Sequence, residues 1–271
     1  MITQHVYKKW ITLNRDFLEQ CRGKYIAVTY SAGKDSSACM QLLRDAADEY
    51  GFELHAFLYA FPKHRYGPEF LAKISSFWEQ AGIDIVFRDA KAEDTILEGE
   101  DNPCRPCQNL RKKDLINLFP HIGRKLDEIV IVSGHSLWDL AGYALNRFVS
   151  SELAASTKHA ESFSKERLLE ISQRFYPFLL MKGGYSVYRP MLFLNREEIM
   201  LVCREKSLPI LEIPCRYSHR RPKKILGDYF ERFGYQFEYN DVLEFAKKHI
   251  EIAGIEEIQH IAPEEYLTRR F

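Results

Sequence analysis

The sequence predicts an α/β protein in which helices cover both faces of a parallel sheet. Two observations carry this prediction. Short β-branched and aromatic runs alternate along the 271 residues with longer segments of helical periodicity. The first of these runs, residues 25–30, passes into a glycine-containing loop and then into an apolar-periodic segment. Because ligands of such sheets bind at the carboxyl ends of the strands, this loop marks the predicted binding edge.

The predicted elements follow one another without an internal repeat or a low-complexity linker. An N-terminal helix is predicted over residues 1–21, within a first segment that ends at residue 24. Strands are predicted over residues 25–30, 52–59, 84–87 and 128–132. Helices are predicted after the glycine loop and over residues 68–81, 110–118 and 195–206.

The second half of the chain gives fewer signals. Asn195, three residues before Glu198, is typical of a capped helix start. A polar stretch at residues 150–165 is expected to be a mobile insertion, and residues 216–271 are expected to form a helical C-terminal extension.

Composition limits the class of protein. Hydrophobic residues make up 46% of the chain and charged residues 28%, which is ordinary for a globular protein. No apolar run reaches membrane-spanning length and the first ten residues lack a signal-peptide core, so we expect a cytoplasmic protein with no membrane partner. The six cysteines are then expected to be buried, metal-binding or catalytic rather than disulfide-bonded. The 38 basic and 38 acidic residues argue against a general polyanion binder, although local basic patches remain.

The loop after the first strand has the composition of a phosphate-binding loop. It consists of Ser31, Ala32, Gly33, Lys34, Asp35, Ser36 and Ser37. Small residues let the backbone close around an anion, and the positive end of the following helix dipole favours that anion. Lys34 adds a charge and the serines add hydroxyl donors. The spacing differs from the Walker-type loop, and the alternative interpretation is a flexible surface turn.

The cysteines divide into two groups. Cys104 and Cys107 stand at the start of a predicted helix, where the dipole favours thiolate, and Cys215 is a third candidate ligand. With His219 these residues could form a Cys3His zinc site; without it they could hold an iron–sulfur cluster with one open iron. Spacing does not separate the two. Three further cysteines fall on helical apolar faces and are expected to be buried: Cys21, Cys39 and Cys203.

Taken together, four segments resemble the tRNA 2-thiocytidine synthetase branch of the PP-loop ATP pyrophosphatases. They are the loop at 31–37, the cysteine pair with residues 110–112, the run at 133–139 followed by Asn146, and the stretch from residue 188 to Cys215. Their order and approximate spacing match over about residues 25 to 235. The resemblance implies a HUP-type α/β fold, with a PP-loop ATP pyrophosphatase domain over residues 25–215.

The chain departs from the pattern of that family at several positions. Ala32 replaces a usual glycine, a mild change if its φ is negative. Trp138 replaces the first residue of a usual Asp-Asp pair and leaves Asp139 alone. The second strand lacks the usual acidic residue near its end, and no second cysteine follows Cys215 closely. These departures leave the ATP chemistry in place and leave the modified molecule open.

The resemblance also implies roles for individual residues. ATP and its pyrophosphate would be bound by the loop 31–37 together with Leu58, Gly134 and His135. The catalytic residues would be Lys34, Asp35 and Asp139. Either carboxylate could hold Mg²⁺ or cap the following helix, and His135 could contact phosphate or bond within its own turn. Cys104, Cys107 and Cys215 would hold a [4Fe–4S] cluster, with Zn²⁺ as the alternative.

The implied activity is adenylation of a carbonyl oxygen of a nucleobase in tRNA, followed by its replacement with sulfur from a cysteine desulfurase or free sulfide. Basic residues around the cysteines are candidates for RNA binding: Arg111, Lys112, Arg216, Arg220, Arg221 and Lys224. The alternative for them is a solvated helix face. The chain could also form a homodimer.

Three other functions remain open. A PP-loop sulfur transferase could act on a free small heterocycle or cofactor. A PP-loop ligase could form an amide or amine bond and carry only structural zinc. A nucleotide-binding module could use the same loop without catalysis.

Overall fold

The computed structural model describes residues 2–150 and 165–259. Within these residues, six strands form one sheet in the order β3-β2-β1-β4-β6-β5. The strands are β1 (Tyr25–Tyr30), β2 (Glu53–Tyr59), β3 (Ile85–Arg88), β4 (Ile129–Val132), β5 (Phe178–Leu180) and β6 (Ser186–Tyr188). The four strands predicted from the sequence are all present, each within one residue of the predicted bounds. The α/β fold class is therefore confirmed.

The sheet is parallel except at one edge. Ile26 of β1 lies opposite Leu54 of β2 on one side and Val130 of β4 on the other. β6 continues the parallel arrangement beside β4, but β5 pairs with β6 in the antiparallel sense. The predicted parallel sheet is thus confirmed, and β5, which was not predicted, adds one antiparallel strand at its edge. Strands of three residues are too short to show an alternating pattern, so the sequence carries little signal for β5 and β6.

Helices lie before, between and after the strands. They are α1 (Ile2–Gln20), α2 (Lys34–Tyr50), α3 (Pro68–Gln80), α4 (Cys104–Ile122), α5 (Leu137–Phe148), α6 (Lys165–Ser172), α7 (Arg196–Glu205), α8 (Pro222–Arg232), α9 (Tyr239–His249) and α10 (Ile255–Gln259). The N-terminal helix and the capped start at Asn195 are confirmed: the backbone N–H of Asn195 donates to the Glu198 carboxylate at 2.9 Å. The polar stretch expected to be mobile lies, apart from its two ends, outside the described residues.

Alternate residues of the central strands face opposite sides of the sheet, and both sides are covered. Ile26 and Val28 pack with helices α1, α2, α3 and α7, whereas Ala27 packs with Ile129, Ile131 and Leu179. Continuous burial of β4 is typical of a parallel strand covered on both faces. The sheet therefore forms a rigid platform whose strand ends can carry a site.

The described part of the predicted extension packs on the main body. Phe230 of α8 lies edge-on to Trp138 of α5, with ring centroids 5.8 Å apart. Val242 and Ala246 of α9 are buried in the same apolar cluster. This packing brings the start of α8 to the strand ends, beside the loop that carries Cys215.

No helix among the described residues is long and apolar enough to cross a membrane.

Candidate nucleotide and thiolate site

A cavity of about 460 Å³ lies at the carboxyl ends of the central strands. Thr29 of β1, Ile131 of β4 and Val187 of β6 form part of its floor. The phosphate-type loop and the candidate thiols share this space, because both groups line its walls. The predicted site residues among its lining are Ser31, Gly33, Asp35, Ser36, Gly134, His135, Asp139, Cys104, Cys107, Cys215, Arg111, Lys112 and Arg221. One cavity therefore brings together segments that lie far apart in the chain.

Hydrogen bonds within the loop hold its backbone in place. The Ser36 hydroxyl donates to the Gly33 carbonyl at 3.0 Å and accepts from the backbone N–H of Ser31 at 3.3 Å. Gly33 is the N-cap residue of α2 and has an extended backbone conformation. The first N–H groups of the helix therefore face the cavity. Ser37 and Leu58 are buried and do not line the cavity; Ser37 lies 3.3 Å from the Tyr30 hydroxyl.

Lys34 stands at the first position of α2 and pairs with its neighbour. Its Nζ donates to both oxygens of Asp35, at 2.6 and 2.7 Å. Asp35 lines the cavity. Lys34 is not among the lining residues, and its side chain is about a quarter exposed. The ammonium can therefore reach an anion on the loop by exchanging one partner for another.

Ala32 adopts a backbone conformation that favours glycine. Its φ is +54°, so the condition under which alanine replaces glycine at little cost is not met. The left-handed region costs a residue with a Cβ roughly 1 kcal/mol. Two contacts stabilise Ala32 in this backbone conformation. Its methyl group is fully buried in the main core, and its carbonyl accepts from the backbone N–H of Leu211 at 2.7 Å.

Gly134 allows the end of β4 to touch the phosphate-type loop. A Cβ at this position would meet the Ser36 Cα at 3.0 Å and the Asp35 carbonyl carbon at 3.2 Å. Both are backbone atoms, which cannot swing aside as a flexible side chain can. The run at 133–139 thus sets the position of the loop through close backbone contact.

Replacing Gly134 with alanine should push this loop out of place. We expect ATP affinity to fall by roughly tenfold or more, because small displacements of a positioning group are costly. Calorimetric titration with ATP would measure it. Gly227→Ala is the matched control, since a Cβ there meets nothing within 4 Å and alanine favours the helix. Equal ATP affinity in both variants would contradict the contact as a determinant of binding.

An ion pair spans the nucleotide side of the cavity. Lys223 of α8 lies 2.5 Å from the Asp139 carboxylate, which also accepts from the Ser136 backbone N–H at 3.2 Å. Burial acts to raise the pKa of Asp139, but the charge and hydrogen bond of Lys223, together with His135 and Lys34, hold that pKa below its usual value. Asp139 therefore both caps α5 and presents a carboxylate anion to the cavity.

His135 bonds within its own turn while lining the cavity. Its Nδ1 lies 2.6 Å from the Ser133 hydroxyl. Burial lowers the pKa of His135 to about 3, despite the opposing charge of Asp139. The ring is consequently neutral near pH 7, so it can offer a hydrogen bond but no positive charge to a phosphate.

The candidate metal ligands come from two segments. Cys104 and Cys107 occupy the first turn of α4, and Cys215 lies in the loop before α8; all three are half-buried. Burial raises the pKa of Cys104, whereas the charge of Arg221 acts to lower it. The other cysteines are buried away from the cavity, and burial raises the pKa of Cys21 to about 12 and that of Cys203 to about 11.

Within the described ranges, no three His, Cys, Asp or Glu side chains lie close enough to hold one metal ion. A single Zn²⁺ needs every thiolate sulfur about 2.3 Å from the same point. His219 does not line the cavity. Three thiols on one cavity, from which His219 is absent, match the donor set of an iron–sulfur cluster with three protein ligands.

Three predicted RNA-binding residues line the cavity: Arg111, Lys112 and Arg221. The Arg111 guanidinium donates to the Phe61 carbonyl. Burial acts to lower the pKa of Arg111, but its neighbours Tyr66 and Cys107 raise it by charge and hydrogen bonding. Lys112 Nζ donates to the buried Glu170 at 2.7 Å. The helical spacing from Cys107 to Arg111 could have predicted this, since residues four apart share one face.

The described lining is rich in positive charge. Six cationic side chains face two carboxylates, Asp35 and Asp139. The cations are Arg111, Lys112, Arg174, Arg189, Arg221 and Lys223. Sequence analysis missed Arg174 and Arg189 and did not link Lys223 to Asp139, because no local motif marks contacts that only the tertiary fold creates. Such a lining favours a polyanionic ligand.

Three further basic residues lie outside. Arg216, Arg220 and Lys224 are exposed just past Cys215. Arg220 donates to the Glu100 carbonyl at 3.3 Å, and Lys224 pairs with Asp228 on its own helix. Along the chain they are interspersed with Cys215, Arg221 and Lys223, which line the cavity, and we call these three exposed residues the rim.

Comparison with solved structures finds the same fold in a tRNA-modifying enzyme. One match is to the U34-tRNA thiolase NcsA from Methanococcus maripaludis, solved with its [4Fe-4S] cluster. The TM-score is 0.68 at 17% sequence identity, over 99% of this chain and 88% of that one. No protein-family model and no curated protein matches the sequence. This chain therefore shares the fold of that solved structure.

Proposed function

We propose that this protein is an ATP-dependent, iron–sulfur-dependent sulfur transferase of the PP-loop type, acting on a nucleobase in tRNA. One observation carries the proposal: the phosphate-type loop and three thiols line a single cavity. An enzyme that activates an oxygen with ATP and then replaces it with sulfur needs both chemistries within reach of one substrate atom. A shared fold with a tRNA thiolase supports this choice.

The nucleotide would lie across the strand ends, with its β- and γ-phosphates on the loop. The N–H groups at the start of α2 and the Lys34 ammonium would offset the charge that builds on the departing pyrophosphate. Asp35 and Asp139 present carboxylates to the cavity and are the candidates for Mg²⁺. The carbonyl oxygen of the base would attack the α-phosphorus, which makes AMP the group that sulfur displaces.

The thiolate side fits a cluster held by Cys104, Cys107 and Cys215. A [4Fe–4S] cluster on three thiolates would supply one iron without a protein ligand, where sulfur can bind. Arg111 beside Cys107 and Arg221 near Cys104 place positive charge next to these thiols. Such charges stabilise thiolates, which are the form that binds metal.

A tRNA substrate is supported by the exposed rim of Arg216, Arg220 and Lys224. These residues adjoin the cavity-lining residues Cys215, Arg221 and Lys223 in the chain, where a phosphate backbone would pass if one base entered the cavity. A free heterocycle would gain nothing from them. The rim therefore separates the tRNA hypothesis from the small-molecule hypothesis.

We expect the Arg220→Glu, Lys224→Glu double variant to bind tRNA more weakly. Its salt dependence should flatten by roughly two counterions, one for each lost phosphate contact. Filter binding across a salt series measures both, and mass spectrometry of digested tRNA reports thiolated nucleoside formed with ATP and sulfide.

Lys247→Glu with Lys248→Glu is the matched control, because these exposed residues of α9 carry the same charge change away from the rim. The control should retain tRNA affinity. Unchanged tRNA affinity in the rim variant, with full turnover of a free heterocycle, would place the small-molecule function first.

A further inference from the structure

A short turn after β2 contacts the chain on both sides of Cys215. The turn covers Lys63–Arg65. The Arg65 Nε donates to the Ile213 carbonyl at 3.0 Å, and the His64 Nε2 accepts from the backbone N–H of Arg216 at 3.2 Å. These two contacts bracket Cys215, which has no regular helix or strand to hold it. Cys104 and Cys107, by contrast, are held by the backbone of α4.

Asp94 fixes the imidazole that makes one of these contacts. Its Oδ2 lies 2.6 Å from His64 Nδ1, and its carboxylate also accepts from the backbone N–H groups of Lys63 at 2.7 Å and His64 at 2.9 Å. The His64 side chain is only 9% exposed, so these contacts compete little with water.

The hydrogen-bond partners of the two ring nitrogens of His64 define its tautomer. Partial burial acts to raise the pKa of Asp94, but hydrogen bonds from the His64 backbone and ring and from Lys63 hold that pKa below its usual value. An ionised carboxylate can only accept, so Nδ1 carries the proton. A backbone N–H can only donate, so Nε2 must present its lone pair to Arg216. In the opposite tautomer, Nε2 would carry the proton and would face the Arg216 backbone N–H, so both groups would be donors.

We propose that Asp94, His64 and Arg65 are positioning residues that hold the Cys215 loop so that its thiol faces the cavity. The role of Cys215 as a cluster ligand rests on the proposed function, but the loop contacts do not. Asp94 acts through His64, and His64 acts through the Arg216 backbone. Loss of the contact to the Arg216 backbone, either directly or because the His64 ring changes tautomer, releases the segment that carries Cys215.

Side-chain substitutions can separate a tautomer-dependent contact from simple packing. Glutamine at position 64 places an amide oxygen where Nε2 stood, whereas asparagine reaches only the position of Nδ1. His64→Gln should therefore retain the contact to Arg216, and His64→Asn should lose it. Asp94→Asn should also lose it, because the two carboxylate oxygens take three N–H groups, whereas an amide has one acceptor oxygen and turns its NH2 group against a donor.

The test measures alkylation of Cys215 by iodoacetamide in the metal-free full-length protein, with Cys104 of the same chain as internal reference. Peptide mass spectrometry gives the ratio of the two rates. We expect the ratio to rise about threefold or more in His64→Asn and Asp94→Asn, as local opening exposes the thiol, and to stay near wild type in His64→Gln. Glu93→Gln breaks the exposed Lys63–Glu93 pair of the same turn and should change nothing.

An unchanged ratio in both His64→Asn and Asp94→Asn would overturn the proposal. Equal rises in His64→Gln and His64→Asn would also overturn it, because packing alone would then explain the effect. The measurement needs no cluster, so a protein that bound no iron would refute the proposed function and leave this result readable. After anaerobic reconstitution, faster iron loss to a chelator in the same two variants is the second expected readout.

Discussion

Lys34→Ala is expected to lower AMP formation by about 10² to 10³, the usual cost of removing one preorganised group that stabilises developing charge. The side chain stands at the start of α2, where helix dipole and backbone N–H groups already favour an anion. Its Nζ lies 2.6 Å from Asp35, so it needs only a small movement to reach a phosphate bound on the loop. Pyrophosphate release in the presence of ATP, Mg²⁺, sulfide and tRNA is the measurement.

Asp35→Ala should lower the same rate, through loss of a carboxylate that faces the cavity. Asp45→Ala is the control, because Asp45 lies on the same helix but pairs at the surface with Lys206 at 3.4 Å. Surface pairs of this kind contribute less than about 1 kcal/mol, so both activity and folding should survive. Wild-type pyrophosphate release in Lys34→Ala and Asp35→Ala together would end the PP-loop proposal.

Changing Cys104, Cys107 or Cys215 to alanine should abolish the broad visible absorption of a [4Fe–4S] cluster in anaerobically reconstituted protein. Each change removes one of the three thiols that line the cavity. Iron should fall to background in all three variants, since a cluster held by two thiolates has too few ligands. Iron analysis and the visible spectrum of each variant provide the measurement.

The controls are Cys21→Ala, Cys39→Ala and Cys203→Ala, which should keep their iron. Burial raises the pKa of each of these thiols, which keeps them protonated and unfit to bind metal. Stoichiometric zinc with no iron after reconstitution would instead favour the Cys3His site with His219.

The local parts of the fold and site were predictable from sequence. The strand–loop–helix unit at residues 25–50 carries its own signals: a β-branched run, a glycine loop and a periodic helix. Cys104, Cys107 and Cys215 were predicted as one group, and the structure places them on one cavity. The pairing of Asn195 with Glu198 at the start of a helix was likewise predicted from the sequence.

What the sequence could not predict depends on tertiary contacts. The sequence around Lys223 does not indicate that Asp139 is its partner, because the ion pair forms only when α8 packs on α5. The positive φ of Ala32 is likewise imposed from outside its loop, by a fully buried methyl group and a hydrogen bond from Leu211. Arg111 was assigned to RNA because it is basic, although its contacts are internal.

The stretch from Cys215 to Lys223 connects the two halves of the cavity. One end carries a thiol, and the other ends in an ammonium bound to Asp139 on the nucleotide side. A ligand that broke this ion pair would therefore free one end of the segment whose other end carries the thiol. In the proposed reaction, the pair would thus connect events on the two sides of the cavity through eight residues of backbone.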